Sequence, residues 1–386
     1  MRNELIKKFG AARKLYPHTK NVVYFNTASH GPFSTQVRNR ILANLDQRVQ
    51  SEKDDSHKAF ATADQLRADY AGLIGAPKRS VGIGMNTSFG LSLAAFGLPL
   101  QKGDEVILSE VEFPALIYTW KAAAEMRGLK IKIVKSRNRC FDADALEKHI
   151  GRRTRVLAVS YVQFFNGFKN DLMRLGEICR RHNLLFVVDG IQGTGAESVN
   201  VRKAGIDVFS AGCQKWLLSP EGGGFFYLSD RVREKIQPPF MSWMGADWKE
   251  RFTDLFHHDK PLFASARRFE LGYYAPLNLL GMKASVGLFQ DIGIRNIQKH
   301  NHALIDRLVA YIKGSNYYRV TSALEPTNRS SIVTFTCSSV TRLHRHLLDR
   351  KFILVVREGS IRVSCHLFNN EADVDKLIDC LDRFAS

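Results

Sequence analysis

The chain has 386 residues, 45% of them hydrophobic and 24% charged, and its 56 Lys and Arg against 38 Asp and Glu leave a formal charge of +18. That length suffices for two or three domains' worth of chain around a large core, and the composition excludes a disordered chain, a collagen-like repeat and a disulfide scaffold. The basic balance raises the question of a nucleic acid or another acidic partner.

The opening segment MRNELIKKFGAARKLYP has no apolar h-region, so a secretory signal is not expected. Leu5, Ile6, Phe9 and Leu15 at helical spacing predict an arm helix lying on the body. From about residue 80 to 230, short apolar runs alternate with amphipathic helices. Strands are predicted over 81–85, 105–108, 131–134, 156–160, 184–188, 206–211 and 223–228, and helices over 88–97, 115–127 and 172–182. Strands that are apolar on both faces and alternate with helices indicate a mostly parallel sheet covered on two sides. Pro238-Pro239 and the polar stretch 245–261 mark a change of organisation. A long helix follows over 275–312, with a break near Gly293, and then strands near 332–335, 353–356 and 361–364 in a smaller unit. The expected architecture is an α/β protein. A large domain, 21–262, carries a mostly parallel seven-stranded sheet, and a small α+β domain comprises 263–386 with the arm 1–20.

No apolar run reaches the roughly 18–20 residues of a membrane span; the most apolar stretch, Gly90 to Leu100, is interrupted by Ser92 and Pro99. The six cysteines are scattered, without a CxxC pair or a His at metal spacing. That pattern points to a reducing, cytoplasmic setting and to no metal site. His257-His258 followed by Asp259 is the densest ligand-like cluster and reads as a polar loop.

The informative stretches are LLFVVDGIQGTGA (184–196) and IDVFSAGCQKWLLSPEGGGFFYL (206–228). In an open α/β sheet, ligands bind beyond the carboxyl ends of the strands. Asp189 sits at such an end, after Val187-Val188, where a carboxylate is costly without a cationic partner. Lys215, flanked by Cys213 and Trp216, reads as a buried amine of the kind tuned for Schiff-base chemistry. A structural salt bridge would give the same spacing. GMNTSFGLSLAA (84–95) runs from a strand end into a helix start, with Thr87 and Ser88 at the turn. Hydroxyls and N–H groups there suit a dianion, although they also cap helices.

Taken together, the strand-end Asp-x-x-Gln, the Lys-Trp followed by a Pro/Gly-rich loop and the flanking motifs resemble the class V aminotransferase family. These are pyridoxal-phosphate enzymes of fold type I, a group that includes cysteine desulfurases, kynureninase and an isopenicillin epimerase. The resemblance runs from about Tyr24 to the C-terminus and rests on several motifs in the right order. It implies that Lys215 holds pyridoxal phosphate as an imine and shuttles the Cα proton, while Asp189 pairs with the pyridine nitrogen and keeps it protonated. It implies further that Gln192 meets the ring hydroxyl and that Phe113, in VEFPA, stacks on the ring where many relatives have His. Without the family, Phe113 would read as core. Thr87, Ser88 and Gln214 become phosphate ligands; Gln214 stands where His is common, and Gly212 replaces a Ser found in some relatives. In REGSIRVSCHLFNN (357–370), Arg362 would clamp a substrate α-carboxylate, though its local sequence alone would fit a surface strand arginine. His366 and Asn369 would support the site. In YFNTASHGPFS (24–34), His30 and Gly31 would line the site mouth.

The implied activity is that of an aminotransferase acting on a small amino acid, with a 2-oxo acid as co-substrate, in a homodimer. Lyase, epimerase and cysteine desulfurase-like reactions are the alternatives. Desulfurases carry a catalytic Cys on a loop before the substrate arginine. Here ILVVREGSIRVS leaves no room for one, and Cys365 falls after Arg362. Desulfurases also have an Asn where this chain has Phe164, which shifts the ring-hydroxyl contact onto Gln192. Around Gly272 to Tyr274, relatives supply a phosphate contact from the partner subunit, a role left here to Tyr273 or Tyr274. The non-enzyme alternative is a nucleic-acid-binding protein. Its basic residues bunch at Lys130, Lys132, Lys135, Arg137 and Arg139 and again at Arg152, Arg153 and Arg155, without aromatic interleaving or a nucleic-acid motif. A solvated basic face is the reading preferred.

Overall fold

The computed structural model describes residues 2–50, 56–248 and 255–385. All seven strands expected between residues 80 and 230 are present: β1 (Val81–Gly84), β2 (Glu105–Ser109), β3 (Lys130–Val134), β4 (Thr154–Ser160), β5 (Leu185–Asp189), β6 (Val208–Gly212) and β7 (Gly224–Leu228). They form one sheet in the order β1-β7-β6-β5-β4-β2-β3. Neighbours from β3 to β6 run parallel, and β7 is antiparallel to both β6 and β1.

The strands are apolar on both faces because both faces are covered. On one side, the helices Thr87–Gly97 and Pro114–Arg127 bring Leu91, Leu116 and Trp120 against Val106, Val156, Val187 and Phe226. On the other, the helices Ser56–Ile74, Leu172–Arg181 and Pro276–Ile292 bring Tyr70, Ile178 and Phe289 against Leu157, Phe186, Val188 and Phe225. The outermost strand β3 alternates lysines with isoleucines, and Lys132 pairs with Glu105 at 2.7 Å. Charged residues on an edge discourage pairing with a second sheet. Several other members of the basic bunch are matched by acids: Lys135 with Glu110 at 3.0 Å, Arg155 with Asp104 at 3.7 Å and Arg139 with Glu358 at 3.7 Å.

A second, antiparallel sheet comprises β8 (Arg319–Val320), β9 (Ile332–Thr336), β10 (Val355–Arg357) and β11 (Ser360–Ser364) in the order β10-β11-β9-β8. Its core, with Leu308, Phe335, Leu347, Val363 and Leu377, is separate from the two clusters on the large sheet. The long helix expected over 275–312 is two helices, Pro276–Ile292 and Ile294–Gly314, parted at Gly293 with φ +86°. The strand expected over 353–356 is likewise two. Phe352–Ile353 pairs in parallel with Val23–Tyr24, and the chain then enters the second sheet at Val355.

The arm helix Arg2–Lys14 packs Leu5 and Phe9 against the main core, whereas Ile6 is exposed. Arg13 donates to both carboxylate oxygens of Asp373, at 2.7 and 2.9 Å, tying the arm to the C-terminal helix Glu371–Ala385. Of the polar stretch 245–261, residues 249–254 lie outside the described ones. Among the described residues no helix is long and apolar enough to cross a membrane.

Candidate active site

Asp189 ends β5, in register with Ser160 of β4 and Ser210 of β6. It is buried, and its Oδ1 accepts the Ile191 N–H at 3.0 Å. Burial raises its pKa to about 6, opposed by that N–H and by the charge of Lys215. Lys215 follows β6 by three residues and is half-buried. Its ammonium lies 5.4 Å from the centre of the Phe113 ring. Burial lowers its pKa to about 8; Asp189 opposes the shift, while Arg362 and Arg357 add to it. An amine that sheds its proton this readily can act as nucleophile and base.

Phe113 precedes the helix Pro114–Arg127 and is 37% exposed, so it is not a core residue. Phe164 props it edge-to-face at 5.1 Å. Gln192 is buried and largely committed within the protein. Its Nε2 donates to the Ala28 carbonyl at 3.0 Å, and its Oε1 accepts from the Trp216 indole at 2.9 Å. One amide N–H remains for a ligand hydroxyl.

Thr87 opens the helix Thr87–Gly97, which is capped by Asn86 accepting from the Phe89 N–H at 3.0 Å. Its hydroxyl accepts the Gly212 N–H at 2.8 Å, and its carbonyl accepts from Ser210 at 2.8 Å. Ser88 is exposed in the same first turn. Gln214 Oε1 is buried without a hydrogen-bond partner, and a Cβ on Gly212 would stand 2.5 Å from it and 3.3 Å from the Thr87 hydroxyl. Thr87, Gly212 and Gln214 therefore form one concave corner at a helix N-terminus. Rotating the Gln214 amide turns the orphaned acceptor into a donor, and the corner then suits a phosphate. With a buried carboxylate, a low-pKa amine and an open aromatic face beside that corner, the donor set fits pyridoxal phosphate.

Arg362 lies on β11, opposite Val355 of β10 and Thr334 of β9. It is 2% exposed and donates to the Phe164 carbonyl and, at 2.6 Å, to Ser29 Oγ. Its Nε has no partner, and among the described residues no carboxylate forms an ion pair with it. Burial, with the nearby charge of Arg357, lowers its pKa to about 9. A buried guanidinium without a counter-ion is costly and marks a place for an anion.

His30 stands apart from this group. It is largely exposed, with its imidazole 3.2 Å from Glu221. Its neighbour Gly31 makes the closer approach: the Gly31 N–H donates to the Gln214 carbonyl at 2.8 Å, and a Cβ would fall 2.1 Å from the Lys215 carbonyl oxygen. His366 is buried, and burial drives its pKa down to about 3. Its neutral Nε2–H donates to the Trp216 carbonyl at 2.7 Å, bracing the residue after Lys215. Asn369 accepts the His366 N–H at 2.9 Å and donates to the Tyr24 carbonyl at 3.0 Å. The Tyr274 hydroxyl is bound by Arg67 and Glu270, while the Tyr273 ring packs edge-to-face on Phe60 at 5.8 Å.

Sequence reasoning missed Ser29, Glu112 and Arg357. Ser29 lies inside the YFNTASHGPFS segment, beside the residues chosen there. Glu112 is a carboxylate between Val111 and Phe113, a signal of burial with purpose. Its oxygens accept from the Ser160 N–H at 3.0 Å, the Ser160 hydroxyl and Gln163 Nε2 at 3.0 Å. Burial, with Asp189 adding, pushes its pKa up to about 7.

No activated thiol faces Lys215 among the described residues. Cys213 is fully buried 3.4 Å from the Tyr70 hydroxyl, and burial pushes it up to about 12. Cys365 is likewise buried and raised. The turn before Arg362 is only Glu358-Gly359.

Solved structures share this fold. An apo cysteine desulfurase from Thermococcus onnurineus NA1 aligns with a TM-score of 0.85 at 21% identity over 96% of each chain. The cystine C–S lyase C-DES, in complex with its reaction product cysteine persulfide, aligns with a TM-score of 0.86 at 21% identity over 95% of this chain and 98% of its own. Relatives in sequence include an uncharacterized aminotransferase of Bacillus subtilis (strain 168), 25% identical over 83% of this chain and 84% of its own. A probable cysteine desulfurase of Methanothermobacter thermautotrophicus is 26% identical over 85% of each. The family model Aminotransferase class-V matches residues 36–377. The chain accordingly belongs to the class V aminotransferase family, pyridoxal-phosphate enzymes that act on amino acids.

Proposed function

We propose that this protein is an aminotransferase for a small amino acid, taking a 2-oxo acid as co-substrate and working as a homodimer. The observation that carries the reading is Arg362: a buried guanidinium with no carboxylate partner among the described residues, close enough to Lys215 to lower its pKa. It suits an α-carboxylate held beside the amine. When bound, pyridoxal phosphate supplies the electron sink for charge developing at the amino acid's α-carbon.

The chain's own residues take the remaining roles. Lys215 carries the cofactor covalently and, with its lowered pKa, takes and returns the α-proton. Asp189 holds a proton on the ring nitrogen, Phe113 supports the ring face and Gln192 offers its remaining N–H to the ring hydroxyl. Thr87, Ser88 and Gln214 receive the phosphate. Arg362 would hold the substrate's α-carboxylate and so orient the amino acid beside Lys215. His30 belongs to the rim of the site rather than its floor. The exposed apolar residues Met241, Trp243, Leu255 and Phe256, the last 94% exposed, support a dimer that covers them. Six unbridged cysteines support a cytoplasmic setting.

Relatives named cysteine desulfurase favour a second reading, cleavage of a carbon–sulfur bond. A buried Cys213 and a cysteine-free turn before Arg362 weigh against the form of it that uses a cysteine nucleophile. The deciding experiment follows the visible band of protein reconstituted with pyridoxal phosphate against a panel of amino acids and 2-oxo acids. Conversion to the pyridoxamine form with release of a 2-oxo acid is expected, and Lys215→Ala should lack the band. Release of sulfide or pyruvate without pyridoxamine would sink transamination.

A further inference from the structure

The basic residues outside the active site are not all matched by acids. A cavity of about 370 Å³ lies where three stretches of chain meet: residues 19–23, the turn between the helix Val340–Asp349 and the strand Phe352–Ile353, and the C-terminal helix Glu371–Ala385. Five cations line it, Lys20, Arg350, Lys351, Lys376 and Arg383, against the single acid Asp379. Among the described residues none of the five forms an ion pair with a carboxylate. Other acids of the C-terminal helix are engaged elsewhere, Asp373 by Arg13, Asp375 by Arg307 and Asp382 by Tyr311.

Lys376, Cys380 and Arg383, at helical spacing, share one face of the C-terminal helix. Cys380 is buried at that face, and the charges of Arg350 and Arg383 both oppose the rise that burial gives its thiol pKa. The two guanidinium groups therefore approach one floor from different elements. Lys351 sits just past a helix end with φ +65°, where glycine is the usual residue. A lysine there carries backbone strain and adds charge to a place already basic. Like charges gathered on a concave wall concentrate anions. A singly charged anion answers one cation of the five, whereas linked anionic groups answer several at once through charge-assisted hydrogen bonds. The volume falls in the range of small-molecule sites, about 300–1,000 Å³. The aromatic residue of the lining, Phe352, is buried, so the cavity lacks the stacking platform that single-stranded nucleic acid uses. Neither Lys215, Asp189, Thr87 nor Arg362 lines it.

We propose that this cavity binds a small polyphosphate, a chain of linked phosphates either free or carried by a nucleoside triphosphate, through Lys20, Arg350, Lys351, Lys376 and Arg383. The site is separate from the phosphate corner at Thr87. Its occupant would brace the joint at which Val23–Tyr24 pairs with Phe352–Ile353, on the stretch of chain that runs on to Ser29 and its contact with Arg362.

The test uses protein reconstituted with pyridoxal phosphate, so that the corner at Thr87 is filled, and follows inorganic tripolyphosphate by calorimetry at low salt. One molecule per chain is expected, bound about tenfold or more tighter than orthophosphate and more weakly as salt rises. Arg350→Glu with Arg383→Glu should weaken binding about tenfold or more. Arg152→Glu with Arg153→Glu takes the same charge from the other basic bunch and should change it by less than about twofold. The visible band and melting temperature report that both variants are folded, and Lys20→Gln with Lys376→Gln gives a milder loss in the same direction should the first not fold. ATP bound as tightly as tripolyphosphate identifies the phosphates alone as the ligand; ATP bound more tightly identifies a nucleotide. Equal weakening by the two charge reversals, or no binding of tripolyphosphate at low salt, overturns the proposal. A DNA duplex that binds, and is lost with Arg350→Glu and Arg383→Glu while tripolyphosphate does not bind, would replace it with a nucleic-acid surface.

Discussion

Glu112 shows at the scale of one residue how the site is held. It sits directly before Phe113 and gathers Ser160 and Gln163 around its carboxyl group. Ser160 stands beside Asp189 in the sheet, and Phe164, next to Gln163, gives its carbonyl to Arg362. Glu112 thus ties Phe113, Asp189 and the carbonyl that receives Arg362 into one assembly. Its pKa is raised to about 7, mainly by burial, so the folded protein holds this proton more tightly than the unfolded chain does. The stability it contributes is full below the ordinary carboxylate range and is lost as pH rises through about 7. Glu112→Gln removes that titration. Its melting temperature relative to the parent should therefore climb between pH 5 and pH 8, by an amount corresponding to about 2 kcal/mol. Calorimetric scans of both proteins at matched pH check this, and a constant difference would refute it.

At the scale of elements, the alternation of strands and helices was legible because each apolar run is a local pattern, repeated seven times. Asp189 and Lys215 were legible for the same reason, as polar residues at the ends of such runs. The Ser29–Arg362 contact was not, because it joins residues 333 apart in sequence and nothing local to either announces the other. The strand expected over 353–356 failed where its residues serve two sheets, which apolar pattern alone does not reveal. Gly293 was legible as a break, and its φ of +86° explains why. A side chain there must adopt backbone angles that L residues rarely take. Gly293→Ala should therefore cost about 1–2 kcal/mol, read as a lower urea midpoint with an unchanged slope.

At the scale of the whole molecule, the charge of +18 divides into parts with different work. Lys132, Lys135, Arg139 and Arg155 are paired with acids and guard or border the outer strands of the sheet. Lys215, Arg357 and Arg362 create a positive field at the site itself, where the cofactor and the proposed substrates are anions. Such a field speeds encounter and is weakened by salt. The rate of pyridoxal phosphate uptake by cofactor-free protein should fall several-fold between about 10 and 300 mM salt, measured by stopped-flow absorbance. A salt-independent rate would remove steering from the account.

The two ends of the described chain meet at the site. Arg13 holds Asp373, Val23–Tyr24 pairs with Phe352–Ile353, and Ser29 receives Arg362. During synthesis, the sheet bearing Asp189 and Lys215 can assemble long before Arg362 leaves the ribosome. Arg362, the proposed clamp for the amino acid, has to wait for the last strand of the second sheet. Contacts of such separation form late and slowly. A nascent or truncated chain could therefore take up the cofactor while remaining blind to substrate, and chemical competence would be the final event of folding.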